Sequence, residues 1–361
     1  MSRKTTVQAV NEMLAPPDVA VQALLQMRAK ENRHLEHGLG VQSTFVSEDI
    51  GTHAIFLESV KELLSRNGMK TPGWKRLVRV TEQGVNHFLP AASCDFATFI
   101  RCVTFHIWVV GVLNPDGPQD GILQSTDLSV EQVTNVFFGF SETGGTSVTP
   151  SHLHSTLKRW ITCDEDAHCN PVDLIYPMCE KLWRLVAATV ICAQRCPVSK
   201  NPLLDFCDNP TERQFRSSRS PDHGPSAADI INEVLRVHPP VQEISRPYGL
   251  PLWQTLLMER VQMADIKAVQ EFDREGERIQ EPQEFVPGRW QSELKPAIFA
   301  FGDGPLKCPA ESWAPAFAAL ITSKVMDRVN GVGHKLEQIS HIGSTAQYCW
   351  EEWVIRKALA Q

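Results

Sequence analysis

The chain has 361 residues, of which 42 % are hydrophobic and 21 % charged, and its formal net charge is −7. That length holds one large domain or two ordinary ones, and the balance is that of a globular protein able to bury a large core. The negative charge argues against a general nucleic-acid binder, which needs a broad cationic surface for phosphates.

The opening residues, MSRKTTVQAVNEML, are polar and lack the apolar run of a signal peptide. Pro16-Pro17-Asp18 opens the segment VAVQALLQMRAKENRHLEHG, helical in spacing, with Gly38 as a stop. Phe56–Asn67 predicts an amphipathic helix closed by Gly68, and Asp95–Leu113 a long apolar one ended by Asn114-Pro115. The longest apolar stretch, Val103–Leu113, is interrupted by His106 and is too short to cross a bilayer. Leu128–Phe140 and His152–Trp160 predict two more helices, and Pro171–Gln194 a central buried one. Asp208–Ser226 is polar and rich in Ser, Pro and Arg, so it reads as a mobile loop. Ser226-x-x-Asp229 then starts a helix through Ile230 and Leu235 that Pro239-Pro240 stops. Short runs in 241–300, such as Trp253–Met258, read as strands and turns, and Cys308–Asn330 is again helical. The fold class is therefore mainly α with a small β portion. No internal repeat occurs, and no Asn-x-Ser/Thr acceptor with a permitted middle residue. The ten cysteines show no repeating spacing and read as free core thiols. These features predict a soluble, cytoplasmic protein without a membrane span.

Four signals carry chemistry. Glu233-Val-Leu-Arg236 puts an acid and a base on one helix face; alone, it is a surface ion pair. Arg246 lies just beyond the di-proline. Pro282-x-x-Phe285-x-Pro287-x-Arg289-Trp290 follows, and then Phe301-Gly302-Asp303-Gly304-Pro305-Leu306-Lys307-Cys308-Pro309-Ala310. Two glycines permit a tight turn close to a bound group. A cysteine at a helix start is stabilised as a thiolate, which is a good ligand for haem iron. A structural cysteine after a Gly-rich loop is the plainer reading of that loop by itself. Elsewhere, Cys163-Asp-Glu-Asp-Ala-His168-Cys169 holds metal-ligand types, but no second ligand pair follows. His152-x-His154 reads as an exposed helix face, and no phosphate loop or Gly-x-Ser-x-Gly elbow occurs.

Together the four signals resemble the cytochrome P-450 family, with the flavour of its fungal secondary-metabolism members. The resemblance is strong over 226–330 and weak before that. It implies one domain over 1–361, with a helical part at 1–207, a mobile loop at 208–226 and the haem-loop core at 227–361, reduced at its N-terminus. It implies a buried ionic triad of Glu233, Arg236 and Arg289 bracing the loop, and haem b ligated by the Cys308 thiolate. Phe301 would then pack beside the sulfur, Gly302 and Gly304 would shape the loop, and Lys307 and Arg246 would serve the cofactor.

The departures from the family pattern matter as much. Leu306 stands where an Arg or His usually meets a haem propionate, and Ala310 stands for a glycine. Pro315 falls in the second turn of the following helix and predicts a bend. Trp74 is followed four places later by Val78 rather than by an arginine, although Arg76 and Arg79 are near. In the central helix, Val186-Ala187-Ala188-Thr189-Val190 offers Thr189 as the catalytic alcohol, but no acid precedes it. Thr189 reads equally as a residue bonding back to its own helix, and Glu180 is an acid without a threonine beside it. These features predict an enzyme of terpenoid or polyketide-like natural-product biosynthesis. It would cyclise or rearrange an apolar small molecule without oxidising it. A haem-thiolate monooxygenase or peroxygenase is the alternative, and a haem-free binding protein the third reading. No flavin or nicotinamide domain is visible, so an oxidative reaction would need a separate reductase.

Overall fold

The computed structural model describes residues 2–17, 19–114, 128–143, 148–161, 170–217, 224–248, 260–331, 333–339 and 349–358. Helices dominate, and most begin where a side chain can satisfy the free amides of a first turn. Thr6 caps α1 (Val7–Leu14), Asp49 caps α4 (Ile50–Arg66) and Thr71 caps α5 (Pro72–Phe88). Between them, the predicted helix VAVQALLQMRAKENRHLEHG divides at Asn32 into α2 (Val21–Glu31) and α3 (Arg33–Leu39). The stop is Gly40, at φ +72°, rather than Gly38, which lies inside α3.

α6 (Phe96–His106) runs on as a π-helix over Ile107–Leu113. Joined, Phe96–Leu113 makes an 18-residue helix of mean hydropathy 1.8, long enough to cross a membrane, which corrects the expectation of too short a run. It is 83 % buried inside the fold, as a core helix is. α7 (Val130–Thr143) and α8 (Pro150–Trp160) lead to α9 (Pro171–Arg195), the long helix at the centre of the main core. α10 (Pro197–Asp208) and α11 (Glu212–Arg216) follow. The segment predicted as a loop thus holds a short helix, capped by the Thr211 hydroxyl. α12 (Ala227–Val237) starts on a true capping box, in which Ser226 and Asp229 exchange backbone amides. α13 (Ile266–Val269) and α14 (Ala314–Gly331) complete the set.

The β portion is small. One sheet has β1 (Ser2–Lys4), β3 (Glu243–Tyr248) and β4 (Arg260–Asp265), with β4 central, parallel to β1 and antiparallel to β3. The other has β2 (Ser93–Asp95), β5 (His334–Gln338) and β6 (Trp353–Lys357), with β6 central. Trp253–Met258 lies outside the described residues. A second apolar cluster, with Val10, Leu14, Ile266 and Phe299, sits between α1 and β4 and seats the chain just before the cysteine loop.

Two expectations for that loop are corrected. Cys308 is not at a helix start, because residues 309–313 form a turn and α14 begins at Ala314. The indole of Trp313 donates to the Asn67 carbonyl at 2.9 Å, which anchors this turn against the end of α4. Pro315 therefore falls in the first turn of α14, where its missing N–H costs nothing, and not in the second turn, where it would bend the helix.

Candidate functional site

The site is built around a carboxylate with no access to water. Glu233 is 0 % exposed in α12. Its Oε1 accepts from Arg236 Nη2 at 2.7 Å, Arg289 Nε at 2.9 Å and the Val286 amide at 3.0 Å. Its Oε2 accepts from Arg236 Nε at 2.9 Å and from the Trp290 indole at 2.9 Å. Burial alone would raise the Glu233 carboxyl; the Arg236 bonds and charge, the Val286 amide and Arg289 outweigh it and hold the carboxyl below its ordinary value. Glu233, Arg236 and Arg289 thus form a buried ionic triad rather than a surface pair. The arginines also clamp the chain ahead of the loop. Arg236 donates to the carbonyls of Pro282 at 2.6 Å and Glu284 at 2.9 Å, and Arg289 donates to Gln280 at 3.0 Å.

Gln270, fully buried, links this cluster to the loop. Its amide nitrogen donates to the Leu235 and Arg236 carbonyls, each at 2.9 Å, and its oxygen accepts the Phe299 amide at 2.8 Å. The chain then folds back on itself, with Gly302 N bonded to Phe299 O at 2.8 Å and Cys308 N to Phe301 O at 2.9 Å. Gly302 and Gly304 sit at φ +70° and +69°, where a side chain is strained. At Gly304 a Cβ would also lie 2.7 Å from both Leu14 O and Ala15 Cβ, so α1 presses directly on this turn.

Cys308 is exposed, the one such cysteine among those described. Its sulfur is nonetheless closely surrounded by protein atoms. That burial raises the thiol above its ordinary value, the Ala310 amide donates to sulfur and lowers it, and Glu311 raises it. The exposure bears on what can reach the sulfur, and the crowding on its acidity. Lys307 pairs with Glu311 at 3.0 Å on the surface. Phe301 is partly buried and packs on the main core.

The other side of the loop meets His53, whose ring is held below its ordinary value by burial and by Arg28, and two arginines lie behind it. The His53 ring donates to the Pro305 carbonyl, and its Nδ1 lies 2.8 Å from Thr44 Oγ1. Arg28 donates to the Thr44 hydroxyl and, at 2.7 Å, to the Thr44 carbonyl. Burial and the neighbouring Arg246 pull Arg28 down to about 10. Arg246, on β3, is itself lowered by burial while Glu31 raises it. The Nε atoms of Arg28 and Arg246 are buried without a hydrogen-bond partner. Two orphaned guanidinium donors beside one loop fit an anionic group.

No family model matches the sequence, and no curated protein does. Solved structures do. P-450 OxyD, involved in the biosynthesis of vancomycin-type antibiotics, superposes with a TM-score of 0.61 at 18 % identity over 99 % of this chain and 89 % of its own. Cytochrome P-450 OleT in complex with arachidonic acid gives 0.61 at 13 % identity, over 98 % of this chain and 87 % of its own. CalO2 gives 0.59 at 14 % identity, over 99 % and 90 %. The fold is that of the cytochromes P-450.

Within the P-450 fold the residues fit haem. Cys308 offers a reachable sulfur, and the unpaired donors of Arg246 and Arg28, with His53 beside them, suit its carboxylates. Arg76 does not join them, since it donates to the carbonyls of Val110 and Asn114. Thr189 is fully buried and its hydroxyl donates to the Leu185 carbonyl at 2.7 Å, the back-bonded arrangement. Glu180 is buried and paired with Lys181 and Arg184. His154 is only partly exposed and lies against Gly40, while Cys163, His168 and Cys169 lie outside the described residues. Sequence reasoning missed Arg28, Thr44, His53 and Gln270. Only His53 had a local signal, a histidine in the first turn of a capped helix.

Proposed function

We propose that this chain is a haem-thiolate enzyme acting on an apolar small molecule of natural-product biosynthesis. The observation that carries the reading is the buried triad bracing a reachable Cys308 beside two unpaired guanidinium donors. Cys308 would ligate the iron, while Arg246 and Arg28, with His53 turned to the loop, would hold the propionates. Held this way, haem supplies one-electron and oxygen or peroxide chemistry. The likeness to P-450 OxyD, of vancomycin-type antibiotic biosynthesis, and to OleT, bound to arachidonic acid, supports the substrate class. An oxidative reaction would draw electrons from a separate reductase.

The test is an absorption spectrum of the reconstituted protein with dithionite and carbon monoxide. The expected result is the red-shifted Soret band of a thiolate ligand, lost in Cys308→Ser. A protein that takes up no haem, or an unchanged band in Cys308→Ser, overturns the proposal.

One observation favours a second reading, a non-oxidative cyclisation or rearrangement. Thr189 spends its hydroxyl on Leu185, and Glu180 is committed to ion pairs, so neither presents a free acid–alcohol relay for protons. A pocket that holds a substrate in a reactive conformer needs no such relay. Turnover under anaerobic conditions without reductant, with product mass unchanged or lower by one water, is the expected result on this reading. A mass gain of one oxygen atom that requires oxygen or peroxide returns the choice to the oxygenase.

A further inference from the structure

Away from the Cys308 loop, three segments distant in sequence bring soft ligands together. Cys192 lies in the last turn of α9. His238 caps the C-terminal end of α12, its own amide bonded to Val234 O at 2.7 Å. Cys349 lies in the chain leading to β6. One sulfur of each cysteine and one ring nitrogen of His238 all lie within 4.8 Å of one another. Neither cysteine is in a disulfide. Cys196, the C-cap residue of α9 four positions beyond Cys192, stands outside this group of three, but its charge is felt by the Cys192 thiol.

We propose that Cys192, His238 and Cys349, with Cys196 as the fourth ligand, form a structural zinc site. Thiolates and imidazole are the donors that select this ion, and four protein ligands make a closed, tetrahedral site. With Zn–S of about 2.3 Å and Zn–N of about 2.0 Å, the edges of that tetrahedron are about 3.5–3.8 Å. The ligand atoms of Cys192, His238 and Cys349, already within 4.8 Å of one another, reach those edges by small side-chain rotations, and Cys196 would turn in to close the site. Binding exchanges the three thiol protons, which leave to solvent, for Zn²⁺, and the complex carries a net charge of −1. Arg195, which influences both Cys192 and His238, together with Lys267 and Arg236 near the ring, offsets that charge. The ion would fasten the approach to β6 onto the ends of α9 and α12, two residues beyond Arg236 of the triad.

The experiment uses the full chain, expressed in zinc-supplemented medium and purified under reductant without chelator. Metal content and zinc K-edge absorption are then read. The expected result is close to one zinc per chain, with a first shell of three sulfurs and one nitrogen. Cys308→Ser keeps the zinc, whereas Cys349→Ser and His238→Ala each lower its retention about tenfold or more in a chelator competition. Should those variants fail to fold, the wild-type protein still decides. Zinc absent after loading and gel filtration overturns the proposal. So does a zinc shell without sulfur, or a Cys192–Cys349 disulfide in the peptide map.

Discussion

Glu233 tolerates complete burial because donors surround both its oxygens, and those donors are not equal. Arg236 gives it a two-pronged bond and is itself 1 % exposed, whereas Arg289 gives one bond and is 14 % exposed. Removing Arg236 leaves a buried carboxylate short of its main counter-charge, so Arg236→Ala is expected to cost about 3–5 kcal/mol. Arg289→Ala removes one bond to Glu233, and the more exposed ones to the Gln280 and Glu281 carbonyls, but leaves Arg236, Trp290 and the Val286 amide on the carboxylate, so about 1.5–3 kcal/mol is expected. Urea unfolding of both variants checks the order; equal costs, or a larger one for Arg289, would refute it. At this scale the sequence is informative where a role is written in a short motif. Glu-x-x-Arg, the Arg289-Trp290 pair and the glycines around Cys308 are all legible that way. The indole of Trp290 as a donor to Glu233 is not, since nothing local distinguishes it from a packing residue.

Elements are legible where a cap and an apolar period coincide, as in α6, α9 and α12, whereas α5 is not read from the sequence. They were misread where the period outruns the helix. Apolar spacing continues from Cys308 into α14, but the chain between turns tightly and hangs from Asn67, so the helix starts at Ala314 and Pro315 does no harm. The same holds for Gln270, a polar residue at the end of the short α13 whose partners lie on α12 and beside Phe299. Its amide satisfies two carbonyls in the last turn of α12, which the helix itself leaves open. Gln270→Leu keeps the volume and removes the bonds, stranding two buried acceptors and the Phe299 amide. A loss of about 2–4 kcal/mol is expected. Gln8→Leu, which breaks an exposed i,i+4 contact with Glu12, should change stability by less than about 0.5 kcal/mol. Thermal melts of the two variants measure the difference, and similar melts would show that Gln270 does not connect α12 to the loop.

For the molecule as a whole, the N-terminal third wraps the cysteine loop through contacts that no short motif records. β1 pairs with β4, Gly304 lies under α1, and His53 meets Pro305. Such pairings join residues more than two hundred positions apart, so sequence spacing is silent on them. The packing they produce also sets how the protein answers to acid. His106 is 3 % exposed at the junction of α6 and the π-helix, with the Phe88 ring edge-on at 5.8 Å and His87 adding an unfavourable charge. Gly84 leaves room for it, since a Cβ there would come within 2.9 Å of the ring, and its Nδ1 has no hydrogen-bond partner. Burial first, and His87 second, lower His106 from 6.5 to about 4. A histidine lowered in the folded state binds its proton more readily once unfolded, so stability is fully present above pH 6.5 and is lost as pH falls towards 4. Between pH 7 and pH 4.5 this one group should remove on the order of 2–3 kcal/mol. His106→Leu is neutral at both pH values. Comparing urea midpoints of wild type and variant at the two pH values cancels the carboxylates common to both. The variant should lose about 2–3 kcal/mol less than the wild type over that interval. Parallel losses would mean that the His106 ring takes up its proton in the folded protein without penalty, and that the α5–π-helix contact opens to water.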